Sequence, residues 1–349
     1  MKLTNKLQLV IALGAAIVAA AIYQLTEQRR DVSQAQPLPE LRTVCVGRML
    51  FDIPVDMEIQ GDVEFYYGLT KDFQSATVQV VESKATQQDF DKVVKNRIAE
   101  LSSRYEARTP TNNFLAAVRR IDDDTELILA HEEPAMKGYF SVEVFVRRGD
   151  AIGKLSRDVF PNDKSEDIEF KVLSLASRIT AVGDPLRAGK GTCLGGLLIN
   201  EVQDGEVFTI STRSTRYRDV VLGISMNSVI AKSDGGMLAR VDRKADLLAK
   251  FAPGLRELRR GSTMIAGRPA EEMVTYGKNE AGKLQRQLDA ETVLTEPSTF
   301  AQPQIHIDLA VGGQDPDTAE YVDPSFTEAD TLKLWEMLIK SVRPRPGAI

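Results

Sequence analysis

Two short stretches of this chain repeat each other, and the repeat limits what the chain can fold into. One reads Thr43-Val44-Cys45-Val46-Gly47-Arg48-Met49-Leu50, the other Gly191-Thr192-Cys193-Leu194-Gly195-Gly196-Leu197-Leu198. Each places a glycine two residues after a cysteine and then an apolar run, and these are the 2 cysteines of the chain. Each opens a half of similar length, a spacing that suits a duplicated domain and is too long for a solenoid repeat. The halves also close alike. Phe140 to Val146 and Ile305 to Val311 read as strands, each followed by a polar stretch and an amphipathic helix. Val172, Leu175, Ala176 and Ile179 in one helix, and Trp335, Leu338, Ile339 and Val342 in the other, share one apolar spacing. That spacing is a single stripe at 3.6 residues per turn.

A length of 349 residues exceeds what one core usually serves and predicts two domains. The boundaries read as 43–183 and 191–349, joined by a linker over 184–190. Within each half, short apolar runs separated by turn residues predict antiparallel strands. Helical periods are predicted over Thr86–Arg104, Ser165–Ile179, Gly236–Phe251 and Thr327–Val342. The fold class expected is α+β: two related domains, each a twisted antiparallel sheet with packed helices.

Ahead of these domains, Lys2 and Lys6 precede an uncharged run from Leu7 to Gln24, and Arg29 and Arg30 follow. Residues 1–25 therefore read as a signal peptide or a signal anchor. No helix breaker precedes Ala19-Ala20-Ala21, and the apolar run continues to Tyr23, an interfacial residue type. These points favour an uncleaved anchor that crosses the inner membrane through residues 7–24, with 26–42 as a polar tether. In a Gram-negative bacterium such a chain is periplasmic. In an oxidising compartment Cys45 and Cys193 either bridge the two equivalent positions or stay as two buried thiols.

The net charge of −6 argues against a general nucleic-acid binder. The 2 histidines, His131 and His306, fall in unmatched positions, and neither has a partner at metal-ligand spacing. Gly223-Ile224-Ser225-Met226-Asn227 lacks the second glycine of a nucleophile elbow. Gly189-Lys190-Gly191-Thr192 lacks the spacing of a phosphate loop. Asp122-Asp123-Asp124 reads as a solvated hairpin turn, and Gly312 to Asp317 as a loop without a calcium-site pattern. No cofactor or metal is expected, and the chain does not read as an enzyme.

Three segments carry a family resemblance. Cys45-Val46-Gly47-Arg48-Met49-Leu50-Phe51-Asp52-Ile53-Pro54, Cys193-Leu194-Gly195-Gly196-Leu197-Leu198, and the ending Leu338 to Ile349 occur in matching order and position. They resemble the immunity proteins of type VI secretion that are cognate to the fourth class of lipase effectors. The resemblance spans about residues 40–349. It implies a periplasmic two-domain claw gripping a phospholipase effector of α/β-hydrolase type. The facing loops, Asp122, Asp123 and Asp124 in one half and Gly312, Gly313, Asp315 and Asp317 in the other, are the contacts expected in the cleft. Two other readings share the export signal: an anchored envelope chaperone or adaptor, and an exported hydrolase without a recognisable motif.

Overall fold

The computed structural model describes residues 37–69, 74–104, 114–132, 138–201, 203–231, 235–245, 250, 254–315 and 318–349. The segment expected to cross the membrane and most of the expected tether lie outside them. Among the described residues, no helix is long and apolar enough to cross a membrane.

The first half runs β1 (Leu41–Val46), β2 (Met49–Pro54), β3 (Gln60–Tyr67), β4 (Gln74–Glu82), α1 (Gln87–Ser103), β5 (Leu115–Asp122), β6 (Thr125–His131), β7 (Phe140–Arg148), β8 (Ala151–Val159), α2 (Ser165–Ser177) and β9 (Ile179–Ala181). A short 3-10 turn, Pro185–Arg187, sits in the linker. The second half repeats the order: β10 (Thr192–Leu194), β11 (Leu197–Ile199), β12 (Gly205–Arg213), β13 (Val220–Asn227), α3 (Met237–Asp242), β14 (Arg256–Ile265), β15 (Arg268–Lys278), β16 (Leu284–Thr292) and β17 (Gln304–Val311). The small pair β18 (Gly313–Gln314) and β19 (Tyr321–Val322) is inserted before α4 (Glu328–Ser341) and β20 (Arg343–Pro344). Thr86 caps α1 through a reciprocal box with Asp89, and Thr327 caps α4 by accepting from the backbone N–H of Asp330.

The α+β, mainly antiparallel character agrees with the sequence. The expectation of a separate sheet in each half does not. One 12-stranded sheet runs β14-β15-β16-β17-β13-β12-β3-β4-β8-β7-β6-β5. Each half contributes six strands in the same order, and β3 meets β12 antiparallel from Gln60↔Ser211 to Tyr66↔Gly205. The physical reason is edge satisfaction: each half-sheet would end on an unpaired strand, and the two inner edges pair with each other. β3 and β8 do not appear in the sequence reading, because alternating charges in Asp62-Val63-Glu64-Phe65 and Lys154-Leu155-Ser156-Arg157 thin out the apolar signal.

A second layer interlocks the halves. The hairpin β1–β2 takes β20, from the far end of the chain, as its third strand, while the hairpin β10–β11 takes β9 from the first half. Each hairpin turns on two residues, Gly47-Arg48 and Gly195-Gly196. Gly47 (φ +59°) and Gly195 (φ +52°) occupy the left-handed region that such turns use. They also pack tightly, and on the opposite half. A Cβ on Gly47 would lie 2.7 Å from Met226 Cε, and one on Gly195 would lie 2.6 Å from Val80 Cγ2. The repeated Cys-x-Gly signature is therefore a turn that crosses over. Gly47 and Cys193 exchange backbone hydrogen bonds of 2.8 and 2.9 Å, and a disulfide joins Cys45 to Cys193 with Cα atoms 5.6 Å apart.

This layer, together with α2 and α4, covers one face of the great sheet with a continuous core running from Val44 to Val342. All eight residues of the two matched helical stripes are buried. On the other face, α1 packs on β5, β6 and β7, and α3 packs on β15. The predicted helix from Gly236 to Phe251 is seen as Met237–Asp242; residues 246–249 and 251–253 lie outside the described set.

Candidate partner-binding face

Between α1 and α3 the middle strands present one face that, among the described residues, no helix covers. Strand alternation decides what it carries. Val63, Phe65, Phe208, Ile210, Leu222, Ile224, Ile305, Ile307 and Leu309 point into the core. Their neighbours in sequence point the other way. Cross-strand register then lays out continuous rows. One runs Lys154, Gln79, Asp62, Thr209, Ser225, His306, Glu291. The adjacent row toward the β13 start runs Gln60, Ser211, Gly223, Asp308, Asp289. Thr209, Ser211 and Ser225 at its centre are exposed.

The two helices that border this face are fastened in matching ways. Arg97 of α1 donates from Nε and Nη2 to the Glu143 carboxylate on β7, at 2.9 and 2.6 Å. Arg240 of α3 donates from Nη2 to both oxygens of Glu291 on β16, each at 2.7 Å. β7 and β16 are equivalent in the two half-sheets, so the duplication extends to the buried carboxylate that receives each helix. Those pairs are neutralised. The remaining charge on the face is mostly acidic: Asp62, Glu64, Asp158, Asp289 and Asp308 stand against Lys154, His306 and Arg213. Burial, reinforced by Glu64, raises the Asp62 carboxyl above its ordinary range. Burial raises Asp308 as well, against the pull of His306.

His306 lies 3.6 Å from Asp289 and 3.8 Å from Glu291. Its contact with Asp289, together with the charges of Asp308 and Glu291, holds the imidazole above its usual value of 6.5 despite burial. A folded-state value above the unfolded one stabilises below the unfolded pKa of about 6.5, and that gain fades as pH rises through the folded value. The stability advantage of the wild type over His306→Gln is accordingly largest in mildly acidic buffer and declines toward alkaline pH. Urea titrations at a series of pH values measure it; a pH-independent difference contradicts the pairing.

The loops expected from sequence fall elsewhere. The Asp122–Asp124 turn caps the edge hairpin β5–β6: Asp122 accepts from the Asp124 backbone N–H at 2.8 Å, and Asp124 pairs with Arg147 at 2.7 Å. Gly312 donates its backbone N–H to buried Asp219, whose carboxylate also takes the Ser325 N–H at 2.8 Å. Gly313 begins the small β18–β19 pair, and the Asp315 N–H donates to Glu320 O at 2.8 Å. Asp317 is outside the described residues. Both loops emerge at the same end of the sheet but seven strands apart, on the order of 34 Å at ~4.8 Å per strand. The structure does not bring them together. What does join the halves is the row of small polar residues on β3, β12 and β13. Its signal in the sequence is the alternation Val207-Phe208-Thr209-Ile210-Ser211, which shows a wet face but not what lies on it. Among the described residues, no group of His, Cys, Asp and Glu could hold a metal ion.

The chain has counterparts among known proteins. Residues 186–347 match the family model of the Tle cognate immunity protein 4 C-terminal domain. The apo structure of immunity protein TplEi of the T6SS of Pseudomonas aeruginosa is similar at 17% identity and a TM-score of 0.61, over 88% of this chain and 98% of that one. The Tle4–Tli4 complex gives the same values. TplEi complexed with "L" peptide is similar at 16% identity and a TM-score of 0.57, over 89% and 100% of the two chains. No curated protein sequence matches the chain.

Proposed function

We propose that this chain, which belongs to the Tle cognate immunity protein 4 family through its C-terminal half, is an immunity protein that binds and inhibits a lipase effector of type VI secretion. The match over residues 186–347 carries the reading. The effector is a phospholipase of α/β-hydrolase type, and the chain acts in the periplasm, held at the inner membrane by residues 7–24. It binds without catalysing a reaction of its own. The likeness to the Tle4–Tli4 complex supports the lipase as partner.

The uncovered face is the palm of the grip. α1 and α3 border it on either side, and the Gly312 loop stands at one end of it, while the Asp122–Asp124 turn lies beyond α1 on the edge hairpin. A rigid floor suits the task, since a preformed surface loses little freedom on binding. The continuous sheet, the exchanged hairpins and the Cys45–Cys193 link supply that rigidity. A lipase seated here cannot turn its active-site opening toward lipid.

Co-expression in the periplasm tests the function: the chain relieves the toxicity of its cognate lipase and co-purifies with it, and failure of both refutes the reading. The palm has its own test. The acidic middle steers a basic surface of the effector, so Asp62→Lys combined with Glu64→Lys slows association at least about tenfold and flattens its salt dependence. Stopped-flow binding measures this, and unchanged association rates remove the palm from the interface.

A further inference from the structure

The two half-sheets are alike in strand order but differ at one junction. In the second half β13 and β17 pair along their whole length, from Val220↔Val311 to Asn227↔Gln304. In the first half the equivalent strands, β4 and β8, pair only as far as Thr77↔Ser156. Beyond that point Gln74–Ala76 stay paired with β3, and Arg157–Val159 stay paired with β7, but not with each other. The sheet forks there.

Antiparallel strands direct the N–H and C=O of alternate residues to alternate sides. At least one residue on each arm of the fork therefore offers both groups into the gap. Two cavities, of about 310 and 480 Å³, open on the two sides of the sheet and meet at Gln74, Ala76 and Arg157. The smaller is largely apolar, with Tyr67, Phe170 and Leu175 in its wall beside Lys171 and Arg157. The larger has Glu64, Asp158 and Asp163. Arg157 is half-buried; its backbone pairs with β7, and its guanidinium makes no hydrogen bond or ion pair among the described residues. Two aromatic rings at the mouth are largely exposed, Phe160 at 56% and Phe170 at 73%, with Phe160 stacked on Tyr139 at 5.5 Å between centroids.

We propose that the β4–β8 fork receives an extended segment of the lipase effector, which adds backbone hydrogen bonds to the open arms of the sheet. This rests on the reading of the chain as a lipase immunity protein. Side chains of an extended segment alternate between faces. One set enters the smaller cavity, where Arg157 and Lys171 select a carboxylate next to an apolar residue. The other set enters the larger cavity, where Glu64, Asp158 and Asp163 select lysine or arginine. The fork thus reads an alternating acidic–basic pattern, while the palm reads overall charge.

Hydrogen–deuterium exchange of the full-length protein, alone and with its cognate lipase, tests the proposal. The fork amides within residues 74–76 and 157–159 exchange quickly in the free protein and become protected in the complex. Arg157→Gln weakens binding of the lipase about tenfold and Arg157→Glu more, with unchanged thermal midpoints. Full inhibition with no protection of these amides overturns the fork and leaves the immunity function standing. Equal protection by oleate alone overturns the peptide in favour of a small amphiphile. A wild-type chain that neither binds nor inhibits the lipase removes the parent reading and this one with it.

Discussion

Replacing Cys45 and Cys193 together by alanine lowers the stability of the protein by about 5 kcal/mol. The magnitude follows from their sequence separation of 148. Closing so long a loop removes much of the freedom of the unfolded chain, and the entropic term grows with the logarithm of loop length. The bridge also joins the two crossed hairpins, so the unlinked chain must find that register unaided. A small cluster of Leu50, Val182, Ala188 and Leu198 packs around the sulfurs, and alanine leaves that packing largely in place. Against a typical total of ~5–15 kcal/mol, the loss is large enough to leave much of the variant unfolded at 37 °C. Urea denaturation of wild type and double variant measures it, and peptide mapping without reductant checks the linkage. A change below about 1 kcal/mol, or two free thiols in the native protein, sinks the argument.

The same cysteines show how much of the fold could be read before the structure. The repeat, the paired helical stripes and the antiparallel character were all legible, because each rests on local periodicity. Trp335, Leu338 and Ile339, like Val172, Leu175 and Ala176, are buried on the helices where their spacing put them, while Ile179 and Val342 are buried just past the helix ends, Ile179 in β9. The way the halves interlock was not legible. Whether β3 closes its own sheet or pairs with β12 depends on residues 139 (Tyr66↔Gly205) to 151 (Gln60↔Ser211) positions apart, and no single-strand pattern encodes a partner. Exchange of β9 and β20 between hairpins is hidden for the same reason. The candidate site suffered most. Acidic turns and glycine loops attract attention in a sequence, yet Asp124 and Gly312 spend their groups on Arg147 and Asp219. The palm is made of threonine, serine and carboxylates whose meaning comes from being side by side across seven strands, β8 to β16.

Glu206 is where a single side chain should matter most. It is 4% exposed, on β12, and Arg48 beside it is 9% exposed, in the β1–β2 turn. The carboxylate accepts from Arg48 Nε at 3.3 Å, Thr192 Oγ1 at 2.6 Å and Gln203 Nε2 at 3.0 Å. Arg48 in turn donates to the Ala348 carbonyl at 2.6 Å, and Arg345 holds the Gly189 and Gly191 carbonyls close by. One carboxylate thus anchors the first hairpin, the start of the second and the end of the chain. This assigns the conspicuous closing segment Arg343 to Ile349 to structure. Glu206→Leu leaves two guanidinium groups near each other without an anion and costs about 3–5 kcal/mol. Arg48→Met combined with Glu206→Leu costs much less than the sum of the single changes, because it removes both halves of the pair. The pH dependence has a definite sign. Burial raises the Glu206 carboxyl above 4.5 in spite of Arg48. A raised acid is best tolerated protonated, so its contribution worsens as pH climbs from about 4.5 through the folded value. Arg48→Met removes the main opposing charge and steepens that decline. Chemical denaturation of the two single variants and the double variant across this pH range decides the matter; additive losses, or an Arg48→Met profile parallel to wild type, contradict the network.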